Sequence, residues 1–252
     1  MDGIIPELEG ILRPLNDPVL CFSGGLDSTV LLRNMKEFCK GFTVLFVRLP
    51  MNSERQVRTA KDIADYLDVP LRIETVGWDG LKGIENNGPD RCYVCKRAIY
   101  SFAKAIADGN PILSGDNMDD RDSERPGHRA GKELGVVNPF KDARIGKTGI
   151  RKALAEMELP FVMVKDTCMA TRYPEGTFIG EREMRFAEGC ESAVRKVSGL
   201  KQVRVRIHGD RALVQTDGSE LDEMIRRRTQ ITYELKSRGL DCDLDLRAYE
   251  EV

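Results

Sequence analysis

Pro18-Val19-Leu20-Cys21-Phe22-Ser23-Gly24-Gly25-Leu26-Asp27-Ser28-Thr29 decides the fold. An apolar run stops at a small polar loop, and Thr29-Val30-Leu31-Leu32 then opens a helical pattern. A strand that feeds a glycine-containing loop and a helix is an anion site. The loop amides and the helix N-terminus point at one spot, and neither Gly24 nor Gly25 carries a Cβ to block a phosphate. Ser23 and Ser28 add hydroxyl donors. The loop lacks the lysine that a Walker A loop places before its Ser/Thr.

The pattern continues outward from this loop. Residues 4–15 place Ile4, Ile5, Leu8, Ile11, Leu12 and Leu15 on one helical face, which predicts a lead-in helix. Thr43-Val44-Leu45-Phe46-Val47 reads as a buried parallel strand. Ser53-Glu54-Arg55-Gln56 fits a capping box for a helix to about Leu67, and Leu71-Arg72-Ile73-Glu74-Thr75 is a third strand. A further helix runs to about Ala107, followed by strands at Pro111–Ser114 and Val136-Val137 and a helix from Lys147 to Met157. This alternation predicts an α/β fold, a parallel sheet with helices on both faces. Ligands of such sheets bind at the carboxyl ends of the strands. Ser23, Arg48 and the polar loop Gly115-Asp116-Asn117-Met118-Asp119-Asp120 all fall there. The texture changes after residues 166–180, which show neither period. A helix at Glu181–Val197, a hairpin at Lys201–Thr216, a helix at about 219–237 and a strand at 241–247 predict a small α+β C-terminal domain. The boundary is expected near 178, giving domains 1–178 and 179–252.

Composition narrows the class. The chain has 252 residues, 41% hydrophobic and 32% charged, with a formal net charge of −2. That balance supports a core and offers no global attraction to nucleic acid. No apolar run has the length of a membrane span. The N-terminus shows no secretory pattern, and seven cysteines, an odd number, suit reduced thiols in a cytoplasmic protein.

The chemistry-bearing residues lie outside the phosphate loop. Cys92-x-x-Cys95, at the start of the fourth helix, reads as a redox pair, half of a zinc site, part of an iron–sulfur site, or two packing thiols. A second CxxC is lacking, and the only histidines are His128 and His208. Cys168 lies in the irregular loop, where a packing cysteine is less expected. Three converging thiolates can hold a cubane cluster with one iron left open to carry sulfide. Lys96 and Arg172 stand beside these thiols in sequence and would favour their thiolate forms. Cys21, Cys39, Cys190 and Cys242 fit packing positions. Arg204 and Arg206 alternate with Val203, Val205 and Ile207, so they share one strand face, turned to solvent or to a phosphate- and carboxylate-bearing ligand. Arg226-Arg227-Arg228 lacks interleaved aromatics and reads as a solvated face. Asp116, Asp119 and Asp120 suit Mg2+, a nucleotide or a bare acidic turn.

The S-G-G-x-D-S string resembles the PP-loop of the ATP pyrophosphatases, which cleave ATP between its α and β phosphates. SGGLDST, DRCYVCK, SGDNMDDRDSERPG, CMATR and QVRVRIHGD, in this order, are together similar to the LarE family of ATP-dependent sacrificial sulfur transferases. The resemblance spans about 15 to 216. It implies adenylation of a carboxylate of pyridinium-3,5-biscarboxylic acid mononucleotide and its conversion to a thiocarboxylate, in making the nickel-pincer nucleotide of lactate racemase. Ser23, Gly24, Gly25, Asp27 and Ser28 match the pyrophosphate motif, with Arg48, Gly115 and Asp116 as further ATP-binding positions. Cys168, Lys96 and Asp27 are the implied catalytic residues. Lys96, Arg172, Arg204 and Arg206 are implied for the nucleotide substrate. The family has two sulfur sources, a single sacrificed cysteine at the Cys168 position or sulfide on a [4Fe-4S] cluster. Cys92, Cys95 and Cys168 together match the cluster type. ATP, Mg2+, the cluster, a sulfide or sulfur donor and a homo-oligomer are what the resemblance implies. Gly115-Asp116-Asn117 departs from the Gly-Thr-Asn expected in many relatives. Two other readings stand beside it, a tRNA thiolase of the same superfamily and a subunit that binds ATP without turning it over. An amidotransferring synthetase would need a glutaminase domain, which does not fit this length.

Overall fold

A computed structural model describes residues 3–120, 126–161, 163 and 166–247. The chain divides into two compact units. One comprises residues 1–84 and 89–166, the other 85–88 and 167–252.

The first unit holds a four-stranded parallel sheet in the order β3-β2-β1-β4. Its strands are β1 (Val19–Cys21), β2 (Thr43–Arg48), β3 (Leu71–Thr75) and β4 (Ile112–Leu113). β1 lies between β2 and β4, with Leu20 opposite both Val44 and Leu113. The helices are α1 (Glu9–Leu12), α2 (Leu26–Phe38), α3 (Glu54–Tyr66), α4 (Arg91–Ala107), α5 (Pro126–Leu134), α6 (Pro139–Asp142) and α7 (Lys147–Glu156). Strand alternation sorts the core into two layers. Leu20, Val44, Phe46 and Leu113 join a cluster with Val30, Leu31, Ala60, Ile63 and Ile150 from α2, α3 and α7. Val19, Leu45, Val47 and Ile112 are buried on the opposite face, where α4 packs on the sheet and α5 packs on α4. The expected α/β sheet with helices on both faces is present.

Local chemistry sets the ends of these elements. The capping box before α3 forms as expected, with Ser53 Oγ accepting from Gln56 N and Gln56 Oε1 accepting from Ser53 N. The expected lead-in helix is shorter than its periodicity suggested. A 3-10 turn at Pro6–Leu8 leads into α1, which ends just before Pro14. Val136-Val137 is reduced to one bridge, Val137 to Leu113, because Pro139 starts α6 directly afterwards.

The second unit contains α8 (Glu181–Ser198), β5 (Arg204–His208), β6 (Arg211–Gln215), α9 (Leu221–Arg226), α10 (Arg228–Lys236) and β7 (Asp241–Leu244). β5 and β6 form the expected hairpin, and β7 runs parallel to β6. β5 begins later than the alternation suggests, because the amides of Lys201 and Gln202 donate to the Glu220 carboxylate instead of a ladder. The expected helix at 219–237 is broken at Arg227, whose backbone leaves the helical region (φ −91°, ψ 7°). Residues 167–178 belong with this unit, ahead of the boundary expected at 178. The Asn87 amide donates to the carbonyls of Ala170, Tyr173 and Pro174, tying 85–88 to the same segment.

Candidate functional site

In the first unit, β1 runs into Ser23-Gly24-Gly25 and α2 begins at Leu26. Gly25 is the residue before the helix and has no side chain to satisfy the first amides, so these are available to an anion. Gly24 is required twice over. Its φ is +71°, and a Cβ would sit 3.1 Å from the Ala60 Cα of α3. The loop is held from within. Ser28 Oγ and Thr29 Oγ1 both donate to the Gly25 carbonyl, at 3.1 and 2.8 Å. Ser23 Oγ lies 3.0 Å from Ser28 Oγ and accepts from the Gly25 amide. Arg48 ends β2 and its guanidinium pairs with Glu54.

The loop after β4 closes against this one. A Cβ on Gly115 would sit 3.0 Å from the Ser28 amide nitrogen, so a side chain there would press the two loops apart. Asn117, fully buried, donates from Nδ2 to Asp27 Oδ2 at 2.8 Å and accepts from the Asp119 amide at 2.9 Å. Burial raises the Asp27 carboxyl above its ordinary range, and the Asn117 hydrogen bond opposes that rise. Asp120 Oδ2 accepts from the Asn117 amide, and Asp119 Oδ2 accepts from the Lys147 amide at the start of α7, at 2.6 Å. Asp119 and Asp120 thus hold backbone here. Residues 121–125, which continue this acidic stretch, lie outside the described residues.

α4 presents its chemistry in its first turns. Cys92 is exposed, and Cys95 is half-buried one turn further on. Lys96 Nζ donates to Tyr100 OH at 3.0 Å and lies 3.8 Å from Asp116 Oδ1. Tyr100 OH in turn lies within hydrogen-bond reach of Ser114 Oγ, at 3.2 Å. His128 Nε2 lies 3.6 Å from the other oxygen of Asp116. Burial disfavours the Lys96 ammonium, but the Tyr100 contact and the Asp116 carboxylate outweigh it and hold the pKa above that of an ordinary lysine. Lys96 is therefore a fixed positive charge and donor at neutral pH, and a poor base. Burial pushes the Cys21 thiol up to about 12, and those of Cys39 and Cys190 to about 11, so these three stay protonated as packing residues do.

In the second unit, Cys168 precedes a 3-10 turn at Met169–Arg172. Arg172 is 1% exposed and its donors are occupied within the fold. Nε meets Glu191 Oε1 of α8 at 2.6 Å, and Nη1 meets Thr167 Oγ1 at 2.7 Å. Arg204, read as a solvent- or ligand-facing residue, is 2% exposed. Arg206 is half-buried and donates to Gln215 Oε1 at 2.6 Å and to the Thr171 carbonyl at 3.2 Å.

The sequence reading did not single out Asn117, Tyr100 or Glu191. For Asn117 the available signal is its place beside Asp116 at a strand's carboxyl end. Tyr100 is four residues beyond Lys96 on one helix face, a spacing that brings side chains together. Glu191 had no signal; it is a glutamate inside an amphipathic helix, where solvent is the default.

Neither unit by itself, among the described residues, gathers three or more His, Cys, Asp or Glu side chains for a metal ion. The first unit offers one pair of helix thiols and the second offers Cys168, so neither donor set alone fits a cubane cluster. No helix among the described residues is long and apolar enough to cross a membrane.

A parallel sheet whose inner strand enters a Ser-Gly-Gly-Leu-Asp-Ser loop and an uncapped helix is an α/β architecture consistent with a PP-loop fold. No family model matches the chain. It is 26% identical over 238 residues to the pyridinium-3,5-bisthiocarboxylic acid mononucleotide synthase of Lactiplantibacillus plantarum, covering 92% of this chain and 86% of that protein. It is 27% identical over 225 residues to an uncharacterized protein of Methanocaldococcus jannaschii, covering 88% and 85% respectively. An uncharacterized Synechocystis protein is 23% identical over 258 residues, covering 99% and 96%.

Proposed function

We propose that the chain is an ATP-dependent sulfurtransferase that converts a carboxylate of pyridinium-3,5-biscarboxylic acid mononucleotide to a thiocarboxylate. The observation that carries this reading is the glycine loop opening into the uncapped α2, in a chain similar along 92% of its length to a synthase named for that bisthiocarboxylic product.

ATP is the adenylyl donor, and the loop amides from Ser23 to Ser28 hold its phosphates. The substrate carboxylate attacks the α-phosphorus, giving an acyl adenylate and pyrophosphate. Mg2+ accompanies the nucleotide and offsets the charge of the leaving group. Lys96, held as an ammonium, supplies a further fixed charge. The Cys168 sulfur then attacks the acyl carbon and AMP leaves, forming a thioester. Loss of the Cys168 α-proton and cleavage of its Cβ–S bond release the thiocarboxylate and leave dehydroalanine. Cys92, Cys95 and Cys168 would be the ligands of the other sulfur source that the resemblance implies, a [4Fe-4S] cluster, which would supply sulfide in place of the Cys168 sulfur. Arg206, the half-buried one of the two β5 arginines, is the proposed partner of the substrate phosphate.

Anaerobic reconstitution with iron and sulfide, followed by turnover and intact-mass measurement, separates the two sources. A sacrificed Cys168 loses the mass of hydrogen sulfide. A cluster route leaves the chain mass unchanged and binds iron only when all three cysteines are present. Absence of pyrophosphate release with this acceptor rejects the proposal and favours a subunit that binds ATP without turnover.

A further inference from the structure

Arg172 is built into the fold of the second unit in a way that packing alone does not require. Its guanidinium is bidentate to Glu191, with Nε at 2.6 Å from Oε1 and Nη2 at 3.4 Å from Oε2. The remaining nitrogen, Nη1, turns to the loop that carries Cys168. It donates to Thr167 Oγ1 at 2.7 Å, the Thr167 carbonyl at 3.3 Å, Thr171 Oγ1 at 3.1 Å and the Cys168 carbonyl at 3.4 Å. One planar group therefore grips residues on both sides of Cys168 and the Cys168 backbone itself. The Cys168 carbonyl also accepts from Thr171 Oγ1 at 2.8 Å and from the Thr171 amide at 3.0 Å.

Glu191 is anchored on its other side. Its Oε1 accepts from the Val205 amide of β5 at 3.2 Å, and Arg195 Nη1 lies 3.7 Å from Oε2. The Arg172 and Glu191 side chains are 1% and 3% exposed. A buried ion pair is a poor way to gain stability, because desolvation consumes most of the attraction. Its strength is geometric, since a bidentate fork fixes the orientation of both partners. Among the described residues the loop around Cys168 has no strand ladder; Asn87 holds its Ala170–Pro174 end and Arg206 the Thr171 carbonyl, while the fork is what reaches Thr167 and Cys168.

We infer that Glu191 is a positioning residue for Cys168, acting through Arg172 to set the backbone from Thr167 to Thr171 and with it the direction of the thiol. This rests on the reading of Cys168 as the sulfur-bearing residue. It assigns Arg172 to holding that loop, its guanidinium already committed to Glu191 and Thr167.

Alkylation of the full chain without added iron, with each cysteine peptide quantified by mass spectrometry, tests the assignment. Cys92, exposed in the first unit, is the internal reference. Glu191→Gln keeps the volume and removes the charge. Thr167→Val keeps the ion pair and removes only the strongest tether to the loop. Each is expected to speed Cys168 labelling relative to Cys92 by about tenfold, the scale of losing one charge-assisted hydrogen bond. In a single-turnover sulfur-transfer assay the same variants should lower the rate at saturating nucleotide with little change in the half-saturating nucleotide concentration. A purely structural role predicts a lower melting temperature and an unchanged Cys168-to-Cys92 labelling ratio. That result in the folded variants overturns the inference; if Glu191→Gln does not fold, Thr167→Val alone decides. Wild-type protein that transfers no sulfur would reject the functional reading and leave the labelling result standing.

Discussion

Replacing Asn117 by leucine tests whether one buried amide joins the two polar loops. The side chain is fully buried, so water cannot replace what it loses. Two hydrogen bonds disappear. The 2.8 Å bond to Asp27 is charge-assisted and is worth roughly 1.5–3 kcal/mol, and loss of the bond from the amide of Asp119, an exposed residue, costs about 0.5–1.5 kcal/mol more. A total of about 2–4.5 kcal/mol is a large share of the roughly 5–15 kcal/mol that holds a domain. In a unit of this size it lowers Tm by about 4–18 °C. The penalty should depend on pH. Burial already raises the Asp27 carboxyl, and removing the opposing Asn117 bond raises it further. A carboxyl raised on folding contributes stability that is present below its unfolded pKa, near 4, and lost as pH rises through its folded pKa. The variant's deficit should therefore be largest at neutral pH and shrink toward about pH 4, where only the loss of the bond from the Asp119 amide remains. Thermal unfolding of both proteins across this range, with Asp27→Asn to close a double-mutant cycle, gives the coupling directly. A Tm within about 2 °C of wild type at neutral pH, or a deficit that grows on acidification, would refute the reasoning.

Two further perturbations probe the frame around the site. Asp119 caps α7 from a distant loop, so Asp119→Ala should cost about 1 kcal/mol in urea unfolding and Asp119→Asn less than half of that. Asp245 is held down to about 2, first by the Arg247 side chain and, against the effect of burial, also by Gln215. Because its pKa is depressed, the stability it adds is present above the ordinary carboxylate value and is lost as pH falls toward about 2; Asp245→Asn should melt below wild type at neutral pH and converge with it in acid, with a smaller gap at high salt because Arg247 is exposed.

Much of the first unit was legible because its signals are local. Apolar runs marked β1, β2 and β3, the Ser53–Gln56 box marked the start of α3, and glycine placement marked the phosphate loop. The second unit was less legible where side chains override periodicity. Glu220 takes the amides that would have extended β5, and Arg227 breaks what reads as one helix. Single-residue roles were the hardest. Arg204 alternates like a solvent-facing arginine and is buried, while Glu191 looks like a surface glutamate and is the buried partner of Arg172. Such pairings join residues far apart in sequence and leave no local pattern. Asn87 is similar, since only the fold shows that it belongs with 170–174.

The proposed chemistry stands on a phosphate loop that activates a carboxylate and a cysteine that supplies sulfur. The most direct measurement is product analysis after incubating the chain with Mg-ATP and pyridinium-3,5-biscarboxylic acid mononucleotide, with Cys168→Ser alongside. The account predicts AMP and pyrophosphate in step with an acceptor in which one oxygen has been exchanged for sulfur, and no exchanged acceptor from Cys168→Ser. Release of ADP and phosphate, or an unchanged acceptor after AMP has formed, would contradict it.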